Sequence, residues 1–171
     1  MITLHPADAT MLPELQAIER SAAQAFLQVP DLGWLAESDP MPAERHLEFI
    51  RLGTEWVAQD GSGQTSGFLC AEPVGQALHI WELSVGLGHQ GQGLGRALLQ
   101  HAIQYARAHG LREVTLTTFR DVPWNAPFYA RLGFQVLPAK PQDDRLAGIL
   151  QDEIAHGLPA GRRCAMQLAL R

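Results

Sequence analysis

Residues Val85 to Leu99 read Val-Gly-Leu-Gly-His-Gln-Gly-Gln-Gly-Leu-Gly-Arg-Ala-Leu-Leu, and no other segment restricts the fold as tightly. An apolar, strand-like run from Leu78 enters a loop with five glycines, and the loop opens directly into an amphipathic helix. Such a junction leaves backbone N–H groups exposed at the positive end of a helix, with no Cβ atoms to keep an anion away. It is a phosphate-binding arrangement.

At 171 residues the chain is long enough for one domain with a substantial core, and we expect a single domain over residues 1–171. Apolar residues make up 46% and charged residues 18%, which excludes global disorder. A net charge of −5 argues against a nucleic-acid partner, which calls for a basic face. The two cysteines, Cys70 and Cys164, sit in apolar, strand-like surroundings and are expected as buried thiols; they form neither a disulfide framework nor a metal site. No apolar run reaches membrane-spanning length, and Met1 to Pro6 lacks the basic-then-apolar pattern of a secretion signal. The expectation is a cytoplasmic protein with no metal.

Helical and alternating patterns predict the order β-α-α-β-β-β-α-β-α-β, then α-β. Leu12, Leu15, Ile18, Ala22, Ala25 and Phe26 recur at helical spacing. Val29 to Pro42 reads as loop. A second helix covers Ala43 to Leu52 with Leu47 and Ile50 inward. Strands follow at Glu55–Gln59, Thr65–Glu72 and Ala77–Val85, then the main helix from Gly93 to His109. Glu113–Thr118, Phe134–Leu137 and Cys164–Leu170 read as strands, Asn125–Leu132 as a short helix, and Asp143 or Asp144 caps a last helix bearing Leu146, Ile149, Leu150 and Ile154. Few helices and hairpin-like central strands give an α/β (α+β) class: a mixed sheet with helices on both faces.

Three phosphate readings compete for the loop. GxxxxGK[ST] is absent. Gly86-Leu87-Gly88-His89-Gln90-Gly91 matches GxGxxG, but the acidic residue expected at the end of the next strand is missing, since Glu113 begins that strand. The third reading fits. Gln90-Gly91-Gln92-Gly93-Leu94-Gly95, followed by Arg96-Ala97-Leu98-Leu99, resembles the pyrophosphate loop of the GNAT superfamily, the acyl-CoA-dependent N-acyltransferases. Asn125-Ala126-Pro127-Phe128-Tyr129-Ala130-Arg131-Leu132-Gly133-Phe134 resembles that family's Asn…Tyr-x-x-x-Gly-Phe block. The likeness covers about Leu78 to Phe134; the first fifty and last thirty residues fit in element order alone.

The resemblance implies a splayed central sheet. Pantetheine would lie between Leu78–Val85 and Glu113–Thr118, bonded by backbone groups of Leu83 and Val85. Gln90, Gly91, Gln92, Gly93, Leu94, Gly95 and Arg96 would hold the diphosphate of acetyl-CoA through their amides. Arg96 is equally well read as a surface helix residue. Asn125 would reach the pantetheine arm, while its place before Ala126-Pro127 also suits an N-cap.

Acyl transfer needs an amine freed of its proton, a stabilised oxyanion and a proton for the leaving thiolate. Tyr129 occupies the family's acid position; a packing aromatic is the other reading. Glu82, in an apolar strand, is the candidate base, and His79 is its rival. Three residues apart, the two face opposite sides of a regular strand. Phe26, Asp31, Trp34, Glu37 and Asp39 form an acidic, aromatic region where the family's acceptors enter. The implied reaction moves acetyl to a primary amine of a small molecule or peptide by direct attack in a ternary complex, with a non-catalytic acyl-CoA sensor as the alternative. An enzyme acting on aminoacyl-tRNA is disfavoured by the acidic balance. The final helix, Asp143 to His156, covers the site, offers a homodimer face or, as we prefer, is ordinary sheet cover.

Overall fold

A computed structural model describes residues 1–171. Twelve elements follow the expected order: β1 (Thr3–Pro6), α1 (Leu12–Ala23), α2 (Ala43–Leu52), β2 (Glu55–Gln59), β3 (Thr65–Val74), β4 (Ala77–Val85), α3 (Leu94–Ala108), β5 (Glu113–Phe119), α4 (Ala126–Arg131), β6 (Gln135–Val136), α5 (Asp144–Ala155) and β7 (Arg163–Ala169). The sheet has seven strands in the order β1-β2-β3-β4-β5-β7-β6. It is mixed: β4 and β5 are parallel, while β1–β2, β2–β3, β5–β7 and β6–β7 are antiparallel. No helix is long and apolar enough to cross a membrane.

The chain divides into two compact units. The first comprises Met1–Glu72 and Ile80–Tyr105, the second Pro73–His79 and Ala106–Arg171.

In the first unit, alternation along β2 and β3 sorts residues between two faces. Val57 lies opposite Phe68 in the register. Both pack with Cys70 against Leu15 and Ile18 of α1 and Phe49 of α2. At roughly 1.5–3 kcal/mol for each large apolar side chain removed from water, this cluster fixes the helices on the sheet. Trp56 points the other way, edge-on to His101 of α3 at 5.0 Å between ring centroids. Two expectations are corrected here. The fully buried residues of α2 are His46 and Phe49; Ile50 packs half-buried against the same cluster, as expected, and Leu47 is half-buried. A histidine is tolerated there because His46 Nδ1 donates to Glu55 Oε2 at 2.7 Å, so neither charge-bearing group is buried alone. The stretch from Val29 to Pro42 is also more than loop, since a 3₁₀ turn spans Gly33–Glu37; before it, α1 runs on into another at Gln24–Gln28.

In the second unit, β5 pairs with β7 through seven residue pairs, from Glu113↔Ala169 to Phe119↔Arg163. α5, capped by the Asp143 carboxylate, packs Leu146 and Leu150 on Ala165 of β7. It is sheet cover, as preferred. Ile154 does not join that face and is 43% exposed. β6 is two residues rather than four, because Phe134 is drawn into the end of α4, where its N–H donates to the Tyr129 carbonyl at 3.2 Å. That bond belongs to a repeated device. α2, α3, α4 and α5 all end on a glycine with positive φ (Gly53, Gly110, Gly133, Gly157), each followed by a residue whose N–H reaches back five positions.

Candidate active site

Within the first unit, β4 carries Glu82, Leu83 and Val85 to the head of α3. Trp81 packs on the α1/α2 cluster, and its Nε1–H donates to Glu72 Oε1 at 3.1 Å. Val85 lies on the other face, since a Cβ on Gly67 would sit 3.4 Å from both Val85 Cγ2 and Leu98 Cδ1 of α3. In an unbroken strand Trp81 and Val85 share a face. The two-residue alternation is therefore broken between them, as a bulge does. Glu82 is half-buried, and Ser84 Oγ donates to its Oε1 at 3.0 Å.

β4 leaves the sheet under close restraint. Gly67 lets the strands approach: a Cβ there would lie 3.1 Å from the Ser84 carbonyl oxygen. The Gly86 N–H donates to the Ser66 carbonyl at 2.9 Å, and a 3₁₀ turn covers Leu87–His89. The Leu87 N–H donates to Ser21 Oγ of α1 at 2.9 Å. Gln90 Nε2 donates to the Val85 carbonyl at 3.2 Å, so the side-chain amide that opens the motif secures the strand end.

The loop then turns through Gly91 (φ 78°) and Gly93 (φ 86°). This left-handed backbone costs other residues about 1–2 kcal/mol. A Cβ on Gly91 would meet nothing within 4 Å, and one on Gly93 only Ile2 Cδ1 at 3.9 Å. The glycines serve the backbone shape and the open face, not internal crowding. Ala97 N–H donates to the Gly93 carbonyl at 3.0 Å, so the amides of Leu94, Gly95 and Arg96 precede the helical ladder. No acidic residue stands in the first turn of α3. Arg96 is exposed and Leu94 is buried. Free amides, a positive helix end and no competing carboxylate suit a diphosphate.

The second unit holds His79, Asn125 and Tyr129. His79 is buried, with Nδ1 2.8 Å from Thr115 Oγ1. Arg145 Nη2 donates to the same oxygen at 3.1 Å. Thr115 Oγ1 thus ties the His79 ring to the Arg145 guanidinium. Asn125 precedes α4 but does not cap it: its Oδ1 accepts from the Phe119 N–H at 3.4 Å, and the helix begins without a side-chain cap. Pro127 removes one amide that a cap would serve. The Asn125 carbonyl instead accepts the Tyr129 N–H at 3.1 Å. Tyr129 is 8% exposed, edge-on to Phe128 at 5.2 Å and Phe134 at 5.7 Å. Its ring packs as an aromatic between these two neighbours.

Of the residues expected on the acceptor side, Trp34, Asp31, Glu37 and Asp39 are exposed and Phe26 is half-buried; Asp31 has φ 67°, unusual outside glycine. Both cysteines are buried thiols, and burial pushes each pKa up. Sequence reading missed Ser21, Ser66 and Gly67. A glycine inside an otherwise apolar strand was the available signal for Gly67; the serines gave none.

A family model of the acetyltransferase (GNAT) family matches residues 16–134, a span that enters both units. The chain belongs to that family. It is 36% identical over 89 residues to N-acetyltransferase family 8 member 2 of Rattus norvegicus, covering 48% of this chain and 39% of that one. It is 31% identical over 113 residues to N-acetyltransferase 8F1 of Mus musculus, covering 61% and 50% respectively. The matched part is thus half or less of either relative's length. Among solved structures, PaiA N-acetyltransferase from Thermoplasma acidophilum in complex with coenzyme A has a TM-score of 0.71 at 16% identity, over 99% of each chain. N-acetylglutamate synthase from Neisseria gonorrhoeae, complexed with coenzyme A and N-acetyl-glutamate, has a TM-score of 0.72 at 18% identity, over 100% of this chain and 35% of that one. These likenesses establish a shared fold.

Proposed function

We propose that this GNAT-family chain transfers the acetyl group of acetyl-CoA to a primary amine of a small molecule or peptide, within a ternary complex. The observation that carries the reading is the loop from Gln90 to Arg96, with left-handed glycines and ladder-free amides at a helix end that bears no carboxylate. These amides would grip the diphosphate. Backbone groups of Leu83 and Val85 would align pantetheine, and an N–H aimed at the thioester carbonyl would stabilise the oxyanion.

Glu82 would take the ammonium proton, directly or through water. Glu82 is half-buried with its carboxylate held by Ser84, which supports this over His79, which is fully buried against Thr115. The amine nitrogen then attacks the thioester carbon, the C–S bond breaks, and Tyr129 would protonate the departing thiolate. An amine acceptor is also consistent with the N-acetyl-glutamate named in the complex of the Neisseria enzyme.

Calorimetry with coenzyme A, then a thiol-release screen across amines, amino acids and peptide N-termini, tests the reading. Tyr129→Phe and Glu82→Gln are expected to bind coenzyme A normally and to lose at least about tenfold in turnover. Unchanged turnover in both would remove their roles. Coenzyme binding without thiol release on any acceptor would leave a binding module instead.

A further inference from the structure

We propose that Ser21 of α1 is a positioning residue of the coenzyme site, setting the diphosphate loop through the Leu87 amide. It rests on the loop binding coenzyme A. Three side chains brace the loop's entry. Gln90 Nε2 ties back to the Val85 carbonyl at 3.2 Å, which is internal to the segment. His89 Nδ1 stands 3.7 Å from Asp60 Oδ2, a loose contact. Ser21 Oγ accepts the Leu87 N–H at 2.9 Å from a helix 66 residues away in sequence, and it is the tightest of the three.

Its position gives the bond leverage. Gly86 N–H is held by the Ser66 carbonyl at 2.9 Å, and His89 N–H by the Gly86 carbonyl at 2.8 Å. The Leu87 amide lies between these two, at the point where the chain turns off the sheet toward Gly91. A Cβ on Gly86 would sit 3.7 Å from Ser21 Oγ, so the hydroxyl lies directly against the backbone at this exit. Fixing Leu87 to α1 removes freedom from the segment that presents the diphosphate amides, and pre-set amides bind an anion without an ordering cost.

The same geometry separates this role from a structural one. Leu87 is exposed. Without the hydroxyl its N–H bonds to water, so the fold loses little. The loop, however, loses its anchor.

The test compares Ser21→Ala and Ser21→Thr with the wild-type protein by calorimetry, using coenzyme A and, separately, pantetheine, which lacks the diphosphate. Ser21→Ala is expected to raise the Kd for coenzyme A about three- to tenfold, the worth of one hydrogen bond. It should leave pantetheine binding and Tm unchanged. Ser21→Thr, which keeps the acceptor oxygen, is expected to bind like wild type. Equal coenzyme A affinity in Ser21→Ala and wild type overturns the proposal while the coenzyme reading survives. Parallel losses for both ligands, tracking a fall in Tm, overturn it too by assigning Ser21 to general packing. A wild-type protein with no affinity for coenzyme A removes both readings.

Discussion

Two glycines five positions apart in the same loop, Gly88 and Gly93, separate backbone shape from mere openness. Gly93 has φ 86°, while Gly88 lies outside the positive-φ set, and a Cβ on Gly88 would meet nothing within 4 Å. Gly93→Ala is therefore expected to lower stability by about 1–2 kcal/mol through left-handed strain alone. Because that strain sits where the amides turn toward the anion, it should also weaken coenzyme A binding about tenfold. Gly88→Ala should do neither, staying within about 0.5 kcal/mol of wild type. Thermal melts and calorimetry on the pair check this. Equal behaviour of the two variants would mean that the Gly93 conformation is not what the loop depends on. A related expectation concerns the thiols. Cys70 and Cys164 are buried with raised pKa values, so neither should react with a thiol reagent at neutral pH until the chain unfolds.

At the scale of elements, α2 illustrates what could and could not be read beforehand. Its limits, Ala43 and Leu52, follow from the proline before it and Gly53 after it, both visible in sequence. Its buried face follows only in part, because periodicity finds Ile50 but cannot foresee that Glu55, on a different element, will partner His46. The same holds at the site. The Gln90–Gly95 loop was legible because glycines at a strand–helix junction are a local signal, and the Asn125–Phe134 block through its resemblance to the family pattern. The Ser21–Leu87 bond, the close approach at Gly67 and the break in alternation along β4 were not, because each depends on which segments meet. The α2 pairing can be tested by double-mutant cycle. His46 Nε2 and Glu55 Oε1 are buried without partners, so the pair is only half-satisfied. Removing one member leaves a buried group uncompensated: His46→Leu alone should cost about 3–5 kcal/mol. His46→Leu with Glu55→Met should recover most of that loss. Urea unfolding of both variants decides it; a double variant as damaged as the single would mean the pair holds α2 in place by more than mutual compensation.

For the molecule as a whole, the pH dependence of stability carries a recognisable contribution from Glu19 on α1. Burial raises its pKa, opposed by the Met41 N–H on Oε1 at 3.0 Å and by His46 and Arg20 nearby. Glu55 is raised for the same first reason, with His46 opposing. The sign is fixed by linkage. A carboxyl that holds its proton more tightly when folded adds stability below its unfolded pKa, and that contribution fades as pH rises through the folded value. Most carboxylates in ion pairs do the reverse, so Glu19 and Glu55 work against the usual acid weakening. Glu19→Gln isolates the effect, because the amide oxygen can still accept from Met41 while the titration disappears. The stability of Glu19→Gln relative to wild type should thus be lowest near about pH 4 and increase toward about pH 7, where the wild-type carboxylate is charged. Urea melts at several pH values measure that difference. A flat or falling difference would mean that water reaches the Glu19 carboxylate well enough to cancel the cost of its burial.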